Sequence, residues 1–136
     1  MKKLFIDTNV VIDLLGKREP FYNEAAKLFS LADKGEITLV VSSLTFANTN
    51  YVLSKLKNAQ SARDILTKFK ILVIVADLND KIVDLALSDK AFSDFEDGLQ
   101  YYAAIENEAK IIITRNLKDF KASALPVMTA QSFLNI

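Results

Sequence analysis

Six residues near the start of the chain, Leu4-Phe5-Ile6-Asp7-Thr8-Asn9, constrain its fold more than any other stretch. Leu4, Phe5 and Ile6 form an apolar run the size of a strand buried on both faces. Asp7 follows without a spacer. Val10, Val11, Ile12, Leu14 and Leu15 then continue with helical spacing until Gly16 stops them. A carboxylate therefore stands where a buried strand turns into a helix. In open parallel α/β sheets, ligands bind at that kind of junction. The local alternative is that Asp7 simply caps the helix. What separates the two roles is whether other acids converge on the same edge.

The rest of the chain repeats the alternation of strand and helix. Helical spacing runs from Pro20 through Ala25, Leu28, Phe29 and Ala32 to Gly35. Ile37 to Val41 reads as a second strand, and Ser42 or Ser43 as the cap of the next helix. On that helix Leu44, Ala47, Asn48, Tyr51, Val52 and Lys55 share one face, so Asn48 interrupts an apolar stripe. Asn58 or Ser61 opens a further helix, with Ile65, Leu66 and Phe69 inward. Ile71 to Val75 reads as a third strand, Leu78 to Leu87 as a helix, and Ser88 to Ser93 as a loop. A helix then runs from Asp94 to about Glu108, Ile111 to Ile113 is a fourth strand, and Pro126 to Met128 a brief last one before a short helix ending at Leu134. With no linker and no repeat, this order predicts one α/β domain over residues 1–136, a mostly parallel five-stranded sheet between helical layers.

Composition narrows the chemistry. The chain contains neither Cys nor His. That removes disulfides, thiolate metal sites and every mechanism that needs imidazole. Catalysis is left to carboxylates, Lys, Tyr, Ser or Thr, or to a metal held by oxygen ligands. Seventeen basic residues balance seventeen acidic ones, so any nucleic-acid affinity has to come from a local patch. The apolar start is broken by Asp7 too early for a signal peptide, and no run reaches membrane-spanning length, which predicts a cytoplasmic protein.

The acids fall at comparable positions. Asp7 follows strand one. Asp94, Glu96 and Asp97 open the helix before strand four. Asn116 and Asp119 come just after strand four, and Asn48 lies in the helix after strand two. If the strands are parallel, these residues share one edge of the sheet. Carboxylates gathered there resist ionising together unless a cation is present, and Mg²⁺ or Mn²⁺ suits an all-oxygen site. Each acid also has a structural reading. Asp94 and Asp97 have the spacing of a capping pair, and Asp119 that of a solvated loop acid.

The segments Phe5-Ile6-Asp7-Thr8-Asn9-Val10, Val41-Ser42-Ser43-Leu44-Thr45, Asp94-Phe95-Glu96-Asp97-Gly98-Leu99-Gln100 and Ile113-Thr114-Arg115-Asn116-Leu117-Lys118-Asp119-Phe120, in this order, resemble the PIN-domain family of metal-dependent nucleases. The resemblance is strongest to the VapC-type toxins of toxin–antitoxin pairs. It implies a compact three-layer α/β/α fold and an endoribonuclease using Mg²⁺ or Mn²⁺, leaving a 3′-hydroxyl and a 5′-phosphate. Asp7, Asp97 and Asp119 would be its catalytic acids. The metal would rest on Asp7 and Asp97 with Asp94 as auxiliary, and Thr114 would orient the group with Asn116 nearby. The second acid of the family falls on Asn48, whose amide can ligate but carries no charge. This departure leaves open a second reading, a PIN-like module that has lost catalysis and binds RNA or protein. A phospho-acceptor signalling domain fits less well, because Asp7 is followed by Thr8 and Asn9 rather than a second acid.

Lys17, Arg18, Arg115 and Lys118 are the candidate RNA phosphate contacts around such a site. The resemblance also implies a VapB-like antitoxin laid over an apolar groove, and a homodimer when the chain is made alone. Among Tyr22, Phe29, Tyr51, Tyr101 and Phe120 some are expected at the surface, with Tyr51 and Leu53 as candidates for the groove wall.

Overall fold

The computed structural model describes residues 2–136. Strand β1 (Lys2–Ile6) lies at the centre of a five-stranded, wholly parallel sheet. Its neighbours are β2 (Ile37–Ser42) and β4 (Ile111–Ile113), and β3 (Ile74–Ala76) and β5 (Val127–Met128) form the edges. The register follows from alternation. Leu4 sits beside Leu39 and Ile111, and Phe5 beside Val40 and Ile112. Leu4, Ile6, Leu39, Val41, Ile111 and Ile113 join one apolar cluster, and Phe5, Val40 and Ile112 join the other. Both faces of the three central strands are therefore covered, as their uninterrupted apolar runs require.

The first cluster is closed by α1 (Thr8–Leu15), α2 (Tyr22–Asp33), α3 (Ser43–Leu56), α4 (Ala59–Phe69) and α7 (Ala130–Leu134). The second is closed by α5 (Asp80–Ser88) and α6 (Phe95–Glu106). This is a three-layer α/β/α arrangement. Residues with side-chain acceptors begin most of these helices. Asp7, Ser42, Asn58, Asn79, Asp94 and Thr129 each occupy the N-cap and accept a backbone N–H, which satisfies one of the donors a helix start leaves free.

Two sequence expectations give way. The third strand does not span 71–75. Lys70 to Leu72 prolong α4 as a 3-10 turn, Ile71 is left exposed, and β3 begins at Ile74. The reason is pairing: β3 forms only where it lies beside Val40, Val41 and Ser42. The inward face of α3 also differs. Thr45, Thr49 and Leu53 are its buried residues, whereas Ala47, Tyr51 and Lys55 are exposed and Leu44, Asn48 and Val52 are half-buried. Leu53 is thus a core residue and no part of a surface groove. Tyr51 does lie at the surface, Phe29, Tyr101 and Phe120 are buried, and Tyr22 is half-buried. No helix among the described residues is long and apolar enough to cross a membrane.

Candidate functional site

Asp7 is placed by the strand that precedes it. Leu4, Phe5 and Ile6 are fully buried, and each contributes about 1.5–3 kcal/mol of burial, enough to carry a poorly solvated carboxylate behind them. The Asp7 N–H continues the sheet by donating to the Ile113 carbonyl at 2.9 Å. Its side chain is both a helix cap and the centre of a polar cluster. Oδ1 accepts from the Thr8 N–H at 2.9 Å and from Gln100 Nε2 at 3.4 Å. Oδ2 accepts from Thr114 Oγ1 at 2.8 Å and from Asn9 Nδ2 at 3.3 Å. All four donors are neutral. Burial consequently pushes the Asp7 carboxyl above its usual range, the hydrogen bonds from Thr114, Thr8 and Gln100 oppose that rise, and the charge of Asp119 adds to it.

A cavity of about 140 Å³ opens beside Asp7 at the carboxyl end of the sheet. Asp94, Glu96 and Asp97 from the start of α6 line it, with Asn48 and Leu44 from α3 and Gln100 from the next turn of α6. Asp97 is half-buried here. Its carboxyl is pushed up to about 7, first by desolvation and then by the charges of Asp119, Asp94, Asp7 and Glu96. Asp94 spends Oδ1 on the Glu96 N–H at 2.8 Å, so the capping role expected of it is present. Asn48 donates from Nδ2 to Glu96 Oε1 at 3.4 Å.

The acids share a cavity but do not close into a ready-made cage. Among the described residues, no group of three or more acidic side chains is arranged to hold a metal ion. Asp7, Asp94 and Asp97, the expected metal-holding trio, line one cavity without forming such a group. The donor set still suits a small divalent cation. All of its donors are oxygens, and Mg²⁺ needs only one or two carboxylates beside water and phosphate.

The sequence model of the PIN domain matches residues 3–118. The chain belongs to the PIN-domain family. It is 30% identical to Ribonuclease VapC1 of Aquifex aeolicus (strain VF5), over 97% of this chain and 93% of that protein. Two solved structures share the fold. VapBC-1 from nontypeable Haemophilus influenzae superposes with a TM-score of 0.72 at 19% identity, covering 95% of this chain and 98% of the other. A toxin–antitoxin complex from Klebsiella pneumoniae superposes with a TM-score of 0.70 at 22% identity, covering 93% and 97%.

Within this PIN domain the remaining candidate residues fall into two groups. Thr114 is buried at the end of β4, and its Oγ1 also accepts from the Asn116 N–H at 3.0 Å, so the turn after β4 is tied to Asp7. Asn116 itself is exposed, and Asp119 lies outside the cavity lining although its charge reaches both Asp7 and Asp97. The basic candidates are less concentrated than expected. Arg18 and Arg115 are both committed to Asp13, at 3.0 Å and 2.7 Å, and Arg115 lies over the Phe21 ring at 3.9 Å. Lys17 lines a separate apolar groove with Leu14, Leu15, Tyr22, Leu56 and Ile65. Lys118 is exposed in the short turn that carries Asp119.

Sequence reasoning missed two residues of consequence. Asp13, buried in α1, stands among the apolar residues of that helix, and Gln100, buried in α6, closes the Asp94 to Gln100 segment. A signal did exist for both: each is a polar residue on the inward side of a helix, and such residues must find partners.

Proposed function

We propose that this PIN domain is a divalent-metal-dependent endoribonuclease, the toxin of a VapBC-type pair acting in the cytoplasm. The observation that carries the reading is the pairing of Asp7 and Asp97, acids from separate elements that face one cavity with raised proton affinity and no basic side chain lining that cavity. Such a pair is costly to keep ionised alone and favourable beside a cation. Asp7 and Asp97 would hold Mg²⁺ or Mn²⁺, with Asp94, Glu96, Asn48 and Asp119 around it. A cation bound there supplies charge neutralisation at the scissile phosphate and activation of a water.

The chain's own residues do the rest. Thr114 and Asn9 fix Oδ2 of Asp7, and the backbone of Thr8 fixes Oδ1, so the carboxylate is oriented before any ligand arrives. Asp119 adds negative charge that strengthens the pull on a cation. Lys118, exposed beside Asp119, and the half-buried Arg115 are the cations that would meet an RNA backbone. Glu96, beside the Asn48 amide, brings a carboxylate from α6 close to the position where the family places one on α3.

For partners, the ribonuclease name of the Aquifex relative and the toxin–antitoxin complexes among the structural relatives support an RNA substrate and a VapB-like antitoxin. The groove of about 660 Å³ beside Leu14, Leu15, Tyr22 and Leu56 is the apolar surface such a segment would cover. Exposed Tyr51 and Leu87 are apolar surface that a homodimer would cover. The second reading, a PIN-like module that binds without cleaving, draws on the uncharged Asn48 and on the open arrangement of the acids.

Cleavage of a structured RNA by the purified chain in Mn²⁺, abolished by chelator and by Asp7→Asn, is the expected result. Retained RNA binding without cleavage in any divalent metal would favour the second reading.

A further inference from the structure

One buried side chain at this site has no role in the reading above. Gln100 lies one turn beyond Asp97 on α6, so both project from the same face of that helix. It is 3% exposed. A buried amide carries two donor hydrogens and an acceptor oxygen, and all of them need partners. Gln100 Nε2 reaches the hydroxyls of Thr8 and Thr45 at 3.1 Å each and Asp7 Oδ1 at 3.4 Å. Its Oε1 accepts from Ser42 Oγ at 2.5 Å. The two threonine hydroxyls are themselves joined at 2.7 Å.

These partners come from three different elements. Asp7 and Thr8 mark the passage from β1 to α1, Ser42 ends β2, and Thr45 stands in the first turn of α3. We infer that Gln100 is a positioning residue: it pins the first turns of α6 to the ends of β1 and β2, and so sets where Asp97 stands relative to Asp7. The inference rests on the reading of Asp7 and Asp97 as the metal-holding pair.

The residue type follows from the surroundings. An apolar side chain would take from the Ser42 hydroxyl its close acceptor and from the Thr8 and Thr45 hydroxyls a shared donor, leaving them only one another. A carboxylate would add another negative charge beside Asp7. A lysine would neutralise Asp7 and compete with a cation. A neutral amide satisfies the hydroxyls and touches Asp7 without altering the charge of the site.

The test compares Gln100→Met, which keeps volume and removes the hydrogen bonds, with Leu66→Ala, a core substitution on α4 away from the site. Two quantities are read besides the melting temperature: Mn²⁺ affinity by calorimetry, and hydrogen exchange of the α6 amides from Asp97 to Tyr101 in the metal-free protein. Gln100→Met is expected to weaken Mn²⁺ binding at least tenfold and to speed exchange in that turn at least tenfold. Leu66→Ala should lower the melting temperature and change neither. Thr45→Val, which removes one anchor of the amide and leaves both acids in place, should show the same losses in smaller measure, and it decides the matter if Gln100→Met does not fold. Affinity and exchange in the site variants no different from those in Leu66→Ala would overturn the inference. Absence of Mn²⁺ binding by the unsubstituted chain would overturn the metal reading instead, and the exchange comparison would still decide the role of Gln100.

Discussion

Helix α1 buries a carboxylate at its start and another within it, and the two are treated in opposite ways. Asp13, 1% exposed, is held by two guanidinium groups. Asp7, 8% exposed, is held by a backbone N–H, a hydroxyl and two amides, none of them charged. Asp13 accepts three hydrogen bonds and Asp7 four, so hydrogen bonding does not distinguish them. Charge does. Asp13 is a finished structural unit that ties Arg18, in the turn beyond α1, and Arg115 after β4 to the helix. Asp7 is satisfied in geometry and left uncompensated in charge, with further acids facing it. A fold tolerates that arrangement by raising the proton affinity of the acids, as at Asp7 and Asp97, and a cation bound there would relieve it.

The largest effect on folding should come from breaking the compensated acid. Asp13→Asn removes the partner of both arginines. Loss of one side of a buried pair costs about 3–5 kcal/mol. Water reaches Arg18 and Arg115, whose side chains are 41% and 30% exposed, so a loss of about 2–3 kcal/mol is expected. Urea denaturation of the metal-free protein measures it. A change within experimental error would mean that Asp13 is not the anchor described.

A charge added to the uncompensated site should act on metal rather than on folding. Asn48→Glu places a carboxylate beside Glu96, where the Asn48 amide now donates. Divalent-metal affinity should rise about tenfold, close to 1.4 kcal/mol, while the metal-free protein becomes slightly less stable through like-charge repulsion. Calorimetric Mn²⁺ titration reads the first and a thermal melt in chelator the second. Unfolding in the presence of metal would instead mark position 48 as a packing site.

The same logic fixes the sign of a pH effect. Asp97 ionises near 3.8 when free and near 7 in the fold. Below the lower value both states are protonated and no penalty exists. As pH rises from about 4 to 7 the unfolded chain gives up its proton first, so the metal-free fold loses stability across that window and levels off above it. Asp97→Asn should flatten part of this decline, with the remainder belonging to Asp7. Identical melting curves for parent and variant at pH 5 and pH 8 would contradict it.

Thr49 supplies the neutral case, a buried hydroxyl on α3 with no hydrogen-bond partner among the described residues. Thr49→Val keeps the shape and removes the unsatisfied group, and should stabilise the fold by about 1 kcal/mol. A loss of similar size would reveal a partner for that hydroxyl, such as an ordered water.

These contrasts also show what the amino-acid sequence discloses. Apolar runs and caps are local, so β1, β2, β4 and the starts of α3, α4, α6 and α7 could be read directly. Asp7, Asn48, Asp94 and Asp97 could be assigned to one edge, because a parallel sheet brings its strand ends together. Contacts made across the fold could not be read. Thr45 and Thr49 are polar residues on a helix, and nothing local marks them as buried, yet one joins the Gln100 network and the other lies in the core. Five apolar residues from Ile71 to Val75 look like a strand, but only those beside β2 become one. Arg18 and Arg115 look like free cations until Asp13 is found beneath them.

The central claim is that Asp7, rather than Asp13, is the acid held ready for a cation. It is tested most directly by calorimetric Mn²⁺ titration of the parent chain, Asp7→Asn and Asp13→Asn, at a temperature where all three are folded. Binding in the parent, its loss in Asp7→Asn with undiminished thermal stability, and its retention in Asp13→Asn are the predicted results. Equal Mn²⁺ affinity in Asp7→Asn and the parent would contradict the account.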